Sequence, residues 1–189
     1  MYTIVGLGNP GKEYENTRHN AGVRAAEAFA HAHAFRDFVE SGKFAGLISE
    51  GVIDGNEVRI LIPTTFMNKS GISVQKALAN EGALEKLIVL HDELDLPLGS
   101  FKISKGRGNA GHNGVQSIID ALGTNEFTRV RIGVSPVSIF GNMKRPTGPR
   151  VGDFVLKDFS RGERAKFERS FPDIIEAVKE LLMKEGEMQ

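Results

Sequence analysis

The chain has 189 residues, of which 40% are hydrophobic and 25% charged, and its formal net charge is zero. These values are typical of a folded globular protein and exclude a disordered, collagen-like or coiled-coil chain. The lack of cysteine excludes disulfides, thiol nucleophiles and cysteine-containing zinc sites. Because the apolar runs have only strand length and the first residues show no leader pattern, we expect a cytoplasmic protein without a membrane segment.

Apolar periodicity, turn residues and helix caps predict that strands and helices alternate along the chain. In chain order we expect a strand at residues 2–5, a helix at 21–35, strands at 44–51 and 57–62, a helix from 68 to 80, strands at 85–90 and 101–104, a helix at 115–122, a strand at 129–134, an irregular connection at 136–149, and helical segments over 161–185 that break at Pro172. Asp54-Gly55-Asn56 is a turn signal, so the strands beside it form an antiparallel hairpin. The pattern predicts an α/β fold with a single domain over residues 1–189. Its twisted, mixed and mostly parallel sheet would carry helices on both faces and the hairpin at one edge.

The segment Gly6-Leu7-Gly8-Asn9-Pro10-Gly11 follows the first strand and fits the G-x-G-x-x-G pattern of dinucleotide-binding sites. That fingerprint requires a helix that begins within the glycines and an acidic residue that ends a second parallel strand about 20 residues later. Here Pro10 and the polar residues 12–19 delay the helix, and the next strands form a hairpin. The glycines are therefore predicted to turn the backbone above the strand and to leave Asn9 over a cleft.

Two of the five histidines lie in loops rich in glycine and asparagine, each of which follows a predicted strand. They are His19 in Thr17-Arg18-His19-Asn20 and His112 in Asn109-Ala110-Gly111-His112-Asn113-Gly114. Such loops converge at the carboxyl ends of the strands, where Asp92 ends another strand. A histidine beside a carboxylate forms a general base with its orienting partner, and the lack of a G-x-S-x-G serine makes water the nucleophile. His31 and His33 are predicted to be surface residues.

The run His91-Asp92-Glu93-Leu94-Asp95 offers ligands for a hard cation, but it has no recognisable metal-site spacing. Neighbouring residues of a strand point to opposite sides of a sheet, so His91 and Asp92 are not expected to bind one metal together. We expect neither a metal nor a cofactor. If a metal were required, Asp92, Glu93 and Asp95 would be its ligands.

The charge is unevenly distributed, because residues 102–150 hold eight Lys and Arg against two Asp and Glu, whereas both flanks are acidic. The basic residues are Lys102, Lys105, Arg107, Arg129, Arg131, Lys144, Arg145 and Arg150. This block suits a phosphate-bearing partner that is held locally, and chance clustering in solvated loops is the other interpretation. Asn9, Asn68 and Asn113 lie at loop ends or helix starts. Their amides suit an ester and an oxyanion, although capping explains Asn68 and Asn113 equally well.

Several sequence blocks occur together in a fixed order over roughly residues 1–160. They are Gly6-Leu7-Gly8-Asn9-Pro10-Gly11, Tyr14, Thr17-Arg18-His19-Asn20-Ala21-Gly22, Pro63-Thr64-Thr65-Phe66-Met67-Asn68-Lys69-Ser70-Gly71, His91-Asp92-Glu93-Leu94-Asp95, Gly108-Asn109-Ala110-Gly111-His112-Asn113-Gly114 and Arg129-Val130-Arg131-Ile132-Gly133. With these blocks the sequence resembles the bacterial type of peptidyl-tRNA hydrolase. The resemblance implies a single α/β domain that cleaves the ester between the carboxyl end of a peptide and the ribose of tRNA.

The resemblance also implies roles for single residues. His19 would be the general base and Asp92 its orienting carboxylate. Asn9, Asn68 and Asn113 would position the substrate, Tyr14, Met67 and His112 would line the cleft, and Lys102 and Arg131 match the family's clamp for the tRNA 5′-phosphate. The implied partner is peptidyl-tRNA, with no cofactor, no membrane and no obligate protein partner, and the protein is expected to be a monomer.

The sequence departs from the family at residues 135–150, which form a longer link than usual before Phe154-Val155-Leu156. This segment either extends the contact with tRNA or indicates a eukaryotic or organellar member, which would place the protein in mitochondria. Two other functions were weighed. An RNA-binding relative without hydrolysis would be expected to lack His19 or Asp92, and both are present; an enzyme with a nucleotide cofactor is disfavoured by the delayed helix.

Overall fold

A seven-stranded sheet forms the centre of the computed structural model, which describes residues 1–81, 83–138 and 142–183. The strands are β1 (Tyr2–Gly6), β2 (Val39–Ser41), β3 (Gly46–Ile53), β4 (Asn56–Pro63), β5 (Leu87–Pro97), β6 (Phe101–Ser104) and β7 (Thr128–Ser135). They lie in the order β2-β3-β4-β1-β5-β7-β6. The central strands β4, β1, β5 and β7 are parallel, and the strands at both edges pair antiparallel. The predicted α/β fold with a mixed sheet is confirmed, and the short strand β2, which was not predicted, lies outside the β3–β4 hairpin at one edge.

Helices cover both faces of this sheet. Within the described residues they are α1 (Ala21–Ala32), α2 (Ser70–Glu81), α3 (Asn113–Leu122), α4 (Arg150–Val155), α5 (Arg161–Glu168) and α6 (Phe171–Met183). Phe29 of α1, Phe167 of α5 and Val178 of α6 belong to one buried apolar layer. Val74 of α2 and Ile118 of α3 belong to a second layer on the opposite face. In the part of the chain that is described, no helix is long and apolar enough to cross a membrane.

The chain reversals that the sequence predicts are present at the expected residues. Asp54 and Gly55 join β3 to β4 with positive φ angles of 48° and 82°, which suit the tight turn of a twisted hairpin. Gly123 ends α3 in the left-handed conformation, as a helix-terminating glycine does. After β1 the chain runs through a loop and a 3₁₀ turn before α1 begins at Ala21, so the dinucleotide-type helix start is absent at this place.

Two elements differ from the sequence prediction in ways that affect the site. The strand expected to end at Leu90 continues as β5 to Pro97, because His91, Asp92 and Glu93 pair with residues of β7. Asp92 is therefore held within a strand and does not lie on a loop. The short helix α4 was not predicted, since six residues that include a glycine give no helical periodicity.

The C-terminal helices also break at a different place. The break lies at Arg169 and Ser170, and Pro172 lies in the first turn of α6, where its missing N–H removes no helical hydrogen bond. The expected end of this helical region at residue 185 lies outside the described residues. Residues 139–141 of the long segment 135–150 lie outside them as well.

Candidate active site

The turn that carries His19 packs directly against the strand that carries Asp92. His19 lies in a 3₁₀ turn, Arg18–Asn20, immediately before α1. The first turn of α1 approaches β5 so closely that a Cβ on Gly22 would lie 2.2 Å from the carbonyl oxygen of Leu90. Only glycine permits this approach, which brings together two side chains that are 73 positions apart in the sequence.

His19 and Asp92 form a hydrogen-bonded pair. The Nδ1 of His19 lies 2.8 Å from Oδ1 of Asp92. Because an ionised carboxylate only accepts hydrogen bonds, Nδ1 carries the hydrogen and Nε2 of the neutral ring keeps its lone pair. Burial alone would lower the pKa of His19, but the charge of Asp92 and this hydrogen bond outweigh it and raise the pKa above the ordinary value. The arrangement is that of a base and its orienting carboxylate.

His112 forms a hydrogen bond with the same carboxylate oxygen of Asp92 that His19 contacts. Its Nδ1 accepts hydrogen bonds from the backbone N–H groups of Gly114 and Val115, at 3.1 and 3.2 Å, and so caps the start of α3. Nδ1 is therefore unprotonated, and the hydrogen on Nε2 is donated to Oδ1 of Asp92 over 2.9 Å. Both ring nitrogens are engaged, so His112 borders the cavity mainly as a support for Asp92.

Asp92 is the centre of this network. Its side chain is only 3% exposed. Burial would raise the pKa of its carboxyl group, but electrostatic attraction to the His19 and His112 rings and the hydrogen bonds from them hold that pKa well below the ordinary range. Asp92 is therefore ionised throughout the neutral pH range, as an orienting carboxylate must be.

His91 lies behind the network on the same strand. Its Nδ1 donates to the backbone carbonyl of Asp92 over 2.7 Å, and its ring centre is 4.8 Å from that of His112. Burial, together with the electrostatic influence of the nearby His112 ring, lowers the pKa of His91 well below its ordinary value. His91 is thus a neutral packing partner of the site, as expected from the alternation of side chains along a strand.

Metal binding fits this arrangement poorly. One ligand atom from each of His19, Asp92 and His112 lies within 4.8 Å of the others. A metal would need a lone pair on Nε2 of His112, but that nitrogen carries the hydrogen because Nδ1 already accepts two backbone hydrogen bonds. The alternative ligands named from the sequence, Asp92, Glu93 and Asp95, do not point towards one metal position. Glu93 forms an ion pair with Arg131, and Asp95 forms one with Arg145.

Two adjoining spaces border His19. The inner cavity, about 260 Å³ in volume, is lined by residues that include His19, Asp92, His112, Asn113, Val151 and Val155. The outer groove is lined by residues that include Asn9, His19, Phe66, Met67, Asn68 and Leu156. The inner cavity has room for an ester group and a water, so the rest of a large substrate must lie in the groove or outside. Helix α4 forms one wall of the inner cavity through Val151, Gly152 and Val155.

The three predicted asparagines, Asn9, Asn68 and Asn113, differ in whether hydrogen bonds fix their side chains. Oδ1 of Asn9 accepts the N–H of Met67 over 2.9 Å, and the backbone of Asn9 exchanges two hydrogen bonds with the side chain of Asn20. Asn68 and Asn113 are exposed, and their amides make no hydrogen bond to the described residues. Neither caps a helix, because His112 caps α3 and the second helix begins only at Ser70. Their amide groups are therefore open to a ligand.

The remaining predicted residues fall into separate places. Met67 is buried beside Asn9 and lines the outer groove. Tyr14 lies in the loop before His19, where its carbonyl accepts the hydroxyl of Thr17 over 2.8 Å, and it lines neither space. Lys102 and Arg131 lie directly opposite each other on β6 and β7. Lys102 is exposed, whereas Arg131 is 15% exposed and its Nε donates to Glu93 over 2.9 Å.

Comparison with known proteins connects this geometry to a family. A sequence model described as peptidyl-tRNA hydrolase matches residues 3–189. The chain belongs to the peptidyl-tRNA hydrolase family. A peptidyl-tRNA hydrolase of Syntrophotalea carbinolica is 41% identical over 186 residues, which cover 97% of this chain and 92% of the relative. One of Sorangium cellulosum is 44% identical over 187 residues, which cover 96% of this chain and 78% of the relative.

The fold agrees with that of solved members of the family. The structure of peptidyl-tRNA hydrolase from Acinetobacter baumannii is similar to this one with a TM-score of 0.87 at 34% identity, over 98% of this chain and 90% of that chain. As a member of the peptidyl-tRNA hydrolase family, the chain is a hydrolase. Its bacterial relatives favour the bacterial type that the sequence resembles.

Sequence reasoning missed two parts of this hydrolase's site. Glu93, whose carboxylate fixes Arg131 and also accepts the N–H of Asp95 over 2.9 Å, was considered only as a metal ligand. Its position one residue after Asp92 on a strand could have placed it on the opposite side of the sheet. The α4 wall gave no sequence signal, because only its packing over the cavity reveals it.

Proposed function

We propose that this chain, acting as one catalytic domain over residues 1–189, hydrolyses the ester between tRNA and the peptide or N-blocked aminoacyl group of peptidyl-tRNA. The contact between His19 and Asp92 carries the proposal, because it leaves Nε2 of His19 as a free base at the edge of a cavity. The named activity of the family's members supports the substrate. Free tRNA and peptide are the products.

In the proposed reaction, water is the nucleophile. Nε2 of His19 takes a proton from a water molecule, and the hydroxide adds to the ester carbonyl carbon. The intermediate then collapses, and the imidazolium returns the proton to the leaving ribose oxygen. Asp92 keeps the hydrogen on Nδ1 and stabilises the imidazolium. Among the described residues that line the inner cavity and the outer groove there is no serine, threonine or cysteine, which supports direct attack by water.

The open asparagines provide the electrostatic part of the mechanism. An ester carbonyl in front of His19 acquires negative charge as water adds to it, and amide N–H groups stabilise that charge without a proton transfer. Asn113 borders both spaces and Asn68 borders the groove, and both are free to donate. Asn9, fixed by Met67 and Asn20, keeps its Nδ2 hydrogens for the peptide part of the substrate.

The basic edge of the sheet supports a contact with the tRNA phosphate. Lys102 and Arg131 are neighbours across β6 and β7, and Glu93 fixes the direction of Arg131. We assign the 5′-phosphate to this pair, and we expect a monomer that acts in the cytoplasm. Lys102 supplies a charge that water screens, whereas Arg131 supplies an oriented one.

The decisive experiment compares His19→Ala with the wild-type protein on N-acetyl-aminoacyl-tRNA, with free aminoacyl-tRNA as the substrate control. We expect His19→Ala to lose about 10²–10⁴-fold in turnover, the usual contribution of a general base. His31→Ala is the matched histidine control, because His31 is exposed on α1, and it should keep the wild-type rate. Wild-type turnover in His19→Ala would refute the assignment of the base.

Two further readouts test the chemistry. Mass spectrometry of rapidly quenched enzyme should detect no covalent peptidyl adduct, and an adduct would overturn the direct attack by water. A chelator should leave the rate unchanged. Activity that is lost with the chelator and restored by zinc or magnesium would instead make the His19, Asp92 and His112 cluster a metal site.

A further inference from the structure

Arg18 is a buried cation that the proposed reaction does not use. Its side chain is 8% exposed, and its guanidinium carbon lies 4.4 Å from the ring centre of Phe154 and 5.2 Å from that of Phe159. Burial of a cation is costly unless fixed partners replace the water. An apolar side chain of similar size would fill the same volume, so the directed bonds of Arg18 require an explanation.

The hydrogen-bond partners of the guanidinium all belong to the segment that links α4 to α5 and begins α5. Nη1 donates to the carbonyl oxygens of Lys157 and Asp158, at 3.0 and 2.9 Å. Nη2 donates to both carboxylate oxygens of Glu163, at 2.9 and 2.8 Å. The backbone N–H of Arg18 also donates to Lys157 over 3.2 Å. A planar guanidinium can donate to the two carbonyls and to the carboxylate at the same time, whereas the compact ammonium of lysine cannot.

Glu163 is a firmly held acceptor. Its Oε2 accepts the backbone N–H of Ser160 over 2.8 Å, and Ser160 Oγ accepts the N–H of Glu163, so the two residues cap α5. Burial would raise the pKa of Glu163, but the hydrogen bonds from Ser160 and Arg18 and the charge of Arg18 lower it. Arg18 is therefore bonded to a carboxylate that is itself fixed at the start of a helix.

The connection joins the turn that carries His19 to the chain that follows α4, and both the turn and α4 border the inner cavity. Arg18 immediately precedes His19 in the 3₁₀ turn. The segment that it binds leaves the end of α4, whose residues Val151 and Val155 line the inner cavity. A shift at Arg18 would move the turn that carries His19 relative to both Asp92 and the α4 wall.

We propose that Arg18 is a positioning residue, which ties the turn that carries His19 to the α4–α5 segment and so fixes the imidazole against Asp92 beneath the α4 wall. It acts through the backbone of the turn and touches no reacting atom. The inference rests on the proposed function for its activity readout. A second readout, the hydrogen bond between His19 and Asp92 itself, does not depend on the substrate.

The test uses Arg18→Lys, which keeps the charge but loses the planar set of donors. Arg24→Lys is the matched control. Arg24 on α1 donates to Glu168 of α5 over 2.6 Å, and its guanidinium lies 5.3 Å from the ring centre of Phe167. Arg24 therefore also joins the N-terminal part of α1 to α5 through a carboxylate and an aromatic ring, but it lies several residues after His19 in the sequence.

We expect Arg18→Lys to reduce kcat about tenfold to a hundredfold with KM changed by less than about twofold, because small displacements of a catalytic group cost this much. Arg24→Lys should keep kcat within about twofold. In proton NMR of the free protein, the downfield Nδ1–H signal of His19 should broaden or disappear in Arg18→Lys and persist in Arg24→Lys. Thermal unfolding should show that both variants are folded.

A wild-type kcat and an unchanged His19 signal in Arg18→Lys would overturn the proposal, as would equal losses in Arg18→Lys and Arg24→Lys. If Arg18→Lys does not fold, Glu163→Gln provides the same comparison with one charge removed from the pair, and a wild-type rate and signal there would also overturn it. A wild-type protein that cleaves no peptidyl-tRNA would refute the proposed function alone, since the NMR comparison would still decide the role of Arg18.

Discussion

Replacing Asp92 by asparagine separates the charge of this residue from its geometry. The carboxylate oxygen Oδ1 accepts hydrogen bonds from both His19 and His112, at 2.8 and 2.9 Å. The amide oxygen of an asparagine can still accept both, so the tautomer of His19 is kept. What is lost is the negative charge that stabilises the imidazolium formed during the reaction.

The size of the effect follows from that loss. A hydrogen bond to a charged group contributes about 1.5–3 kcal/mol. If the transition state loses this amount, turnover falls about 10-fold to 150-fold. The loss should stay below that of His19→Ala, because the base itself is still present and correctly oriented.

The pH dependence of kcat/KM tests the role of Asp92 independently, through the direction in which its midpoint moves. Asp92 raises the pKa of His19, and the base must be neutral, so wild-type kcat/KM should fall as the pH drops through a midpoint above about 6.5. In Asp92→Asn that midpoint should move to lower pH, since only the lowering effect of burial remains. The assay is hydrolysis of N-acetyl-aminoacyl-tRNA between pH 5 and 9, as single turnovers with excess enzyme. An unchanged rate together with an unchanged midpoint would refute the reasoning.

Three further predictions concern a neighbour of the base and the two residues of the basic edge. His112→Ala removes both a helix cap and a donor to Asp92, so we expect about 0.5–2 kcal/mol of lost stability in denaturant titrations together with a lower kcat; stability loss without a change in kcat would make His112 a cap only. Lys102→Ala should raise KM for peptidyl-tRNA and reduce the salt slope of binding by about 0.7–0.9, while a minimal ester without the 5′-phosphate is unaffected. Arg131→Ala should also reduce turnover of the minimal ester, because it leaves the buried carboxylate of Glu93, one residue from Asp92, without its cation. Equal effects of Lys102→Ala on both substrates would contradict the clamp.

Part of the site was predictable because it follows from local chemistry and sheet topology. The apolar runs specify β1, β4, β5 and β7, and parallel strands present their carboxyl ends at one edge of a sheet. The sequence was therefore enough to bring the loop of His19 towards Asp92. The loop of His112 follows β6, which runs antiparallel to β7 and so ends at the opposite edge of the sheet, and only the tertiary structure returns this loop to Asp92. The residue types then indicated a base with its carboxylate, and water as the nucleophile.

Other parts depend on contacts that no local pattern encodes. The capping of α3 by His112 was not predicted, because asparagine is the commoner cap and the neighbouring Asn113 was an equal candidate. Likewise, β5 continues past Leu90 because β7 offers it backbone partners as far as Ser135. Polar residues such as Asp92 and Glu93 give no strand signal of their own.

By itself, the sequence determined the fold class, the strands of the core, the hairpin turn at Asp54 and Gly55 and the pairing of His19 with Asp92. These features arise from side-chain polarity and backbone preference over a few neighbouring residues. The tertiary structure decided which nitrogen of His112 carries hydrogen, which helix forms a wall of the inner cavity and what Arg18 binds. Those features depend on pairings such as Arg18 with Glu163, which lie 145 positions apart and meet only after the sheet and helices have packed.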